Sequence, residues 1–211
     1  AMWIAGVMQG LMWRAINADG TLNSANTANA HYLIALANNL HMSVDLTIFA
    51  TLLESQGALE AGLEALGSEF ADYKYCFVDV CNEHQGPSGP ISAEDLRAAC
   101  EALVAGDSGR AFTASTSGSV SGQVSTYIRD YDAGIRYTFH TPHMERSDDA
   151  DTALLERLFE FGEGIAAHGF TLRAHAQEEF RYDHPSAMNA ETHFFTSIEN
   201  ARAGGAIGWN F

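Results

Sequence analysis

The stretch that most constrains this chain is Tyr75-Cys-Phe-Val-Asp-Val-Cys-Asn-Glu83-His-Gln-Gly-Pro87. An apolar run of β-branched and aromatic residues leads straight into Asn82-Glu83, and Gly86-Pro87 then ends any regular continuation. A short apolar run bounded by turn residues, with helical patterns on both sides, predicts a buried parallel strand. Parallel strands present functional groups at their carboxyl ends, so Asn82 and Glu83 stand where such folds do chemistry. The plain alternative is a solvated glutamate in a loop just past a strand. Against it stands a second carboxylate in a matching context later in the chain.

Composition narrows the rest. The 211 residues, 46% hydrophobic and 18% charged, suit a single domain over 1–211 with a sizeable core. Net charge is −16 and Lys74 is the only lysine, which argues against nucleic acid or an anionic membrane surface as partner. No apolar run reaches the length of a membrane span. Cys76, Cys81 and Cys100 form an odd set with no CxxC spacing, so neither a disulfide framework nor a zinc knuckle follows. Compartment and oligomeric state stay open.

The remaining pattern alternates strands and helices. A strand is expected within Ala1 to Arg14, another in His41 to Ala50, then the central one, then Arg110 to Thr116, Ile135 to His140, Thr171 to Gln177 and Ala206 to Phe211. Between them, helical spacing covers Asn29 to Leu40, Leu53 to Tyr73 (broken near Gly67), Ser92 to Ala105, a short piece at Ser125 to Asp130, Ala150 to His168, and Ala190 to Ala203. Ser92 followed by Glu94 and Asp95 is a helix start, because a side-chain cap and acidic first-turn residues satisfy the free N–H groups. Thr141 to Arg146 reads as a polar loop. Alternating β and α at this spacing implies an α/β fold with a parallel sheet, either doubly wound or a (β/α)8 TIM barrel. Complete barrels usually need about 250 residues, so the barrel reading is incomplete at the N-terminus, with its first strand missing.

Two strand ends carry carboxylates, Glu83 and the pair Glu178-Glu179. Glycoside hydrolysis needs two: one protonates the leaving oxygen, and the other attacks the anomeric carbon or activates water. Alternation groups Glu178 with Leu172, Ala174 and Ala176, and Glu179 with Arg173, His175 and Gln177; it does not by itself choose between them.

Val80-Cys-Asn82-Glu83, after an aromatic-rich strand, resembles the Asn-Glu signature of clan A glycoside hydrolases, especially the cellulase-like family five proteins. Ser43-Val-Asp-Leu-Thr-Ile-Phe49 is similar to that clan's third strand. Phe139-His140 is similar to the polar end of its sixth, Ala176-Gln177-Glu178 to the nucleophile segment of its seventh, and Gly205-Ala-Ile-Gly-Trp209 to its eighth. The clan's first strand has no counterpart, Arg14 is the one candidate for its strand-two arginine, and His84 stands where the family usually has proline. The resemblance implies a retaining hydrolase of β-linked glycosides with a carbohydrate substrate and no cofactor. It makes Glu83 the general acid/base and selects Glu178 as nucleophile, with Asn82, His140 and Trp209 orienting the sugar.

Two other readings compete. His140, His143, His175 and His184 with Glu83 and Glu178 offer imidazole and carboxylate ligands for a metal-dependent hydrolase or isomerase, although no HxH or HExxH spacing occurs. A non-catalytic barrel that binds glycans or serves structurally is the other. His140 reads equally well as a core histidine, Trp209 as simple packing at a chain end, and His143, Glu145 and Arg146 as a solvated loop.

Overall fold

The computed structural model describes residues 16–40, 42–50, 53–73, 75–85, 91–144, 150–171, 173–178 and 190–210. The strand expected within Ala1 to Arg14, together with Arg14, Glu145, Arg146, Glu179 and His184, lies outside them.

Among the described residues, α-helices and strands alternate throughout. The order is α1 (Ser24–Asn39), β1 (Val44–Thr47), α2 (Gln56–Glu69), β2 (Cys76–Asp79), α3 (Ala93–Gly106), β3 (Phe112–Thr113), α4 (Val120–Asp132), β4 (His143–Met144), α5 (Ala150–Ala167), β5 (His175–Glu178), α6 (Ala190–Ala203) and β6 (Gly208–Asn210). Local chemistry starts the helices. The side chains of Asn23, Ser55, Ser92 and Ser119 accept from the free N–H groups of Asn26, Ala58, Asp95 and Gly122 at the starts of α1 to α4.

All strand pairings between these elements are parallel, in the order β1-β2-β3 and β4-β5-β6. The two sets are joined where β3 is prolonged. Thr116 bridges Pro142, the Thr116 N–H donates to Thr141 O at 3.2 Å, and the His143 N–H donates to Thr116 O at 2.7 Å. Spatial order therefore follows chain order. A doubly wound sheet reverses its order at a switch point, and this sheet does not.

The two faces of the sheet differ. Val44, Leu46, Ile48, Cys76, Val78, Val80 and Ala114 share one apolar cluster with Ile34, Leu59, Leu63, Leu66, Leu96 and Leu103 of α1 to α3. Met144 and Ala174 continue that row against Leu154, Leu158 and Ala201 of α5 and α6. The alternate residues, Asp45, Thr47, Phe77, Asp79, Thr113, Ser115, Phe139, Thr141 and His143, form the other face and are buried too. The described sheet therefore carries helices on one face, while the residues of its other face are buried as well.

Three expectations need correction. Ile135 to His140 is not the strand; the chain joins the ladder at His140, which bridges Ala174, and β4 is His143–Met144, inside the expected polar loop. The polar residues Thr141 and His143 face the inner side, so the strand lacks an apolar signature. The short helix at 125–130 is a full one, Val120–Asp132, begun by its Ser119 cap within a Ser/Gly-rich stretch. Gly67 does not break α2. Instead, α2 and α3 touch backbone to backbone: a Cβ on Gly67 would lie 2.7 Å from Leu103 O, and one on Gly106 would lie 2.1 Å from Glu64 O.

The inner face also holds a buried acidic pair, Asp45 on β1 and Asp79 on β2. Burial, and then the Asp79 charge, raise the Asp45 carboxyl well above its ordinary value. Burial raises Asp79 as well, against the opposing pull of hydrogen bonds from Ser115 and the charges of His143 and His84.

Two outcomes are expected. Gly106→Ala forces α2 and α3 apart and costs about 1–3 kcal/mol, read as a melting temperature lower by about 2–4 °C per kcal/mol; an unchanged melting temperature would contradict the close contact. For Asp45, a pKa raised by folding gives stability that is full below the unfolded value near 4 and is lost as pH rises through the folded value. Asp45→Asn stays neutral throughout. It should match the parent in melts near pH 4 and exceed it by roughly 1–3 kcal/mol at pH 8; a gap that does not widen with pH rejects the assignment.

Candidate active site

The carboxyl end of β2 runs through Val80 and Cys81 into Asn82 and Glu83. The Asn82 N–H donates to Ile48 O at 2.8 Å, so this tip is still tied to the end of β1. At Glu83 the backbone turns left-handed, with φ 46°, the one positive φ at a non-glycine among the described residues. Such a conformation costs energy in an L-residue and persists where its surroundings over-determine it.

Those surroundings centre on Ser115, just past β3. The Glu83 N–H donates to Ser115 Oγ at 3.0 Å, and the Ser115 N–H donates to Asp79 Oδ1 at 2.9 Å. The carbonyl of Ser115 accepts from the His84 N–H at 3.2 Å and from His84 Nδ1 at 2.8 Å. His84 Nε2 lies 2.8 Å from Asp130 Oδ2 of α4, with both side chains fully buried. Asp130 Oδ2 also accepts from the Tyr137 hydroxyl, and Oδ1 accepts from Arg129. Burial pushes the Asp130 carboxyl up, but hydrogen bonding to His84, the His84 charge and Arg129 hold it below its ordinary range.

Glu83 meets His143 across the inner face. His143 Nδ1 and Glu83 Oε1 are hydrogen-bonded at 3.0 Å, the histidine side chain 4% exposed and the glutamate 29%. Gln123, buried near the start of α4, donates to His143 O and to Gly118 O, each at 2.9 Å, and accepts from the Thr116 hydroxyl at 2.9 Å. It thereby pins the loop after β3 to β4. The result is a partly exposed carboxyl beside a buried imidazole at the carboxyl ends of parallel strands, a pair able to give and take a proton.

His140 is not part of this group. It sits in the helix-facing row, edge-on to Tyr127 and Phe161, with its Nε2 bonded to the Tyr131 hydroxyl. Burial holds its pKa down to about 4, so it is neutral. It lines a cavity of about 250 Å³ with Tyr131, Arg136, Phe170 and Arg173, away from Glu83. The sequence expectation placed a site histidine at His140, whereas the histidine that contacts Glu83 is His143, three residues on. Since His140 and His143 lie on opposite faces of the strand, they do not chelate one ion together.

The register of β5 and β6 decides rows for the remaining candidates. Gln177 pairs with His143 and Glu178 with Met144. Met144 belongs to the helix-facing core, so the backbone register puts Glu178 in the row of Ala174 and Ala176. Trp209 pairs with Ala176 and falls in that same row, whereas Asn210 pairs with Gln177. Asn82 is half-buried at the tip beside Glu83.

The sequence offered His143 only as a metal ligand or a loop residue and gave no role to His84, Asp130, Ser115 and Gln123. The alternation Phe139, Thr141, His143 was available for the first. The contact of His84 with Asp130 spans 46 positions, and no local pattern encodes it.

No family model matches this sequence, and no curated protein does. Solved structures do. An endo-beta-1,4-glucanase from Xanthomonas axonopodis pv. citri carrying a triple mutation is 16% identical with TM-score 0.62, over 94% of this chain and 72% of that one. Cel5A (EG2) from Hypocrea jecorina is 11% identical with TM-score 0.66, over 94% and 69%. Native xylanase10C from Cellvibrio japonicus is 10% identical with TM-score 0.68, over 99% and 54%. In fold, then, this chain resembles the clan A glycoside hydrolases, the TIM-barrel cellulases and xylanases.

Proposed function

We propose that this chain hydrolyses a β-linked glycoside with retention of configuration, Glu83 acting as general acid and then general base. The observation that carries the reading is the Glu83–His143 pair, held on a strained, heavily bonded turn at the carboxyl end of β2. The fold likeness supports it, and among the similar structures XacCel5A holds cellopentaose and xylanase10C holds xylopentaose. A β-1,4-linked glucan or xylan fragment is accordingly the substrate class to try first.

In the first step an enzyme carboxylate attacks the anomeric carbon while Glu83 passes its proton to the glycosidic oxygen, and the aglycone leaves as an alcohol. In the second, the Glu83 carboxylate takes a proton from water, the resulting oxygen attacks the anomeric carbon, and the enzyme carboxylate departs. His143 holds the Glu83 carboxyl by its hydrogen bond, and Asn82 beside it is the candidate to meet the sugar. The attacking carboxylate comes from Glu178-Glu179. Glu178 stands by its register in the helix-facing row of Met144 and Ala174, which counts against it and leaves its sequence neighbour. We therefore assign the nucleophile to Glu179 in preference to Glu178.

The test is hydrolysis of aryl β-cellobiosides and β-xylobiosides by single variants. Glu83→Gln should lower kcat/KM by about 10²–10⁴-fold on substrates with poor leaving groups. Glu179→Gln should abolish turnover, while Glu178→Gln stays within about threefold of the parent, a near-neutral effect suited to a side chain outside the reacting groups. The reverse order for Glu178 and Glu179 would return the nucleophile to Glu178. A parent that binds cello-oligosaccharides without cleaving any glycoside would sink the hydrolase reading and leave a glycan-binding barrel.

A further inference from the structure

The turn that carries Glu83 is built around its neighbour. Both ring nitrogens of His84 face oxygen acceptors: Nδ1 faces the Ser115 carbonyl, and Nε2 faces a carboxylate oxygen that already accepts from the Tyr137 hydroxyl. A carbonyl only accepts, and an ionised carboxylate only accepts, so each ring nitrogen is aimed at an acceptor. The His84 side chain is fully buried against Asp130, itself anchored by Arg129.

The backbone on either side is fixed through the same serine. Glu83 and His84 present consecutive N–H groups to the Oγ and O atoms of Ser115, and the Ser115 N–H is held by Asp79. The His84 ring closes this knot from below and ties it to α4. A proline at this position would remove both the N–H and the ring bonds, so the chain has built its tip on different chemistry from the pattern it resembles.

We propose that His84, with Asp130, is a positioning residue: the buried imidazole–carboxyl contact locks Ser115 against the left-handed turn and so holds the Glu83 carboxyl on His143. This rests on the reading of Glu83 as acid/base. The pair touches no substrate and acts through the backbone of its neighbour. Removing it leaves the fold in place but frees the turn to relax toward ordinary φ, carrying the Glu83 carboxyl away from the scissile oxygen.

The variants are His84→Ala and the milder Asp130→Asn, which keeps the Tyr137 and Arg129 partners nearby. A displaced proton donor matters when the leaving group needs a proton and little when it does not. On phenyl β-cellobioside, kcat/KM should fall about 10–100-fold in both variants; on the 2,4-dinitrophenyl glycoside it should fall less than about threefold, as expected when departure needs no acid. An equal fall on both substrates would mean a merely structural role, and no fall on either would remove the role altogether. A second readout does not need activity. The ring 15N signals of His143, assigned through His143→Gln, should move in His84→Ala and Asp130→Asn in the direction set by Glu83→Gln. Unmoved His143 signals overturn the positioning role even in an active enzyme. A parent inactive on every glycoside overturns the hydrolase reading instead, whatever the His143 signals do.

Discussion

The register of the parallel ladder is the constraint on which the rest depends. Val44 and Leu46, Cys76 and Val78, Ala114, Met144 and Ala174 must face the helices, because only there do Leu63, Leu66, Leu103 and Leu158 supply apolar partners. A slip of one residue would exchange the two faces of a strand, turning Asp45 or Asp79 into the leucine-lined layer. The apolar row thereby dictates that Asp79, Ser115, Thr141 and His143 share the inner face. The site is a by-product of helix packing on the other side of the sheet. Hydrophobic burial sets where the polar groups stand, and hydrogen bonds set how they are turned.

An inner face this polar needs internal partners, since a buried polar group left without one costs free energy. Neighbouring strands provide them: Thr113 and Thr141 pair through their hydroxyls at 2.9 Å, and Asp79 holds the Ser115 N–H. From outside, Tyr127 reaches between β3 and β4, its hydroxyl donating to Ala114 O and accepting from the Thr141 N–H. It closes the gap where the two three-stranded sets meet by a single bridge. Asp45 is buried beside Asp79, and burial and then the Asp79 charge raise its carboxyl well above the ordinary value.

Much of this was legible in the sequence where packing and local rules agree. The apolar run before Asn82 located β2 and the Glu83 tip. Ser92 with its acidic first turn located α3 to within a residue, because capping is a short-range interaction. The reading failed where the inner face is polar. Thr141, Pro142 and His143 look like a loop by composition, yet they belong to the ladder, since the inner row is buried without being apolar. Gly67 reads as a break when helix propensity is weighed alone, but the residue is needed for the approach of α3. His140 and His143 were three apart on one strand and differed only in parity, which is set by the register against Ala174 and Gln177. The buried contact of His84 with Asp130 joins a helix far along the chain, so only the tertiary fold creates it.

The left-handed turn at Glu83 sets the balance between stability and function in this site. A glutamate with φ 46° is strained by an amount of order 1–3 kcal/mol, and the four hydrogen bonds gathered on Ser115 oppose its release. Apolar packing could not do this work, because it is non-directional and tolerates small rotations. Directional bonds to one serine fix the turn in angle as well as position, as the proposed role of Glu83 as proton donor would require. The same choice explains why the charged partner of His84 lies at the side of the sheet away from solvent. In water the ion pair would be screened and its geometry loose; enclosed between β3 and α4, with Arg129 and Tyr137 completing the partners of Asp130, it holds one arrangement. Rigidity at the tip is therefore obtained by burying the His84–Asp130 contact beside it, with the helix layer supplying the stability that such burial consumes.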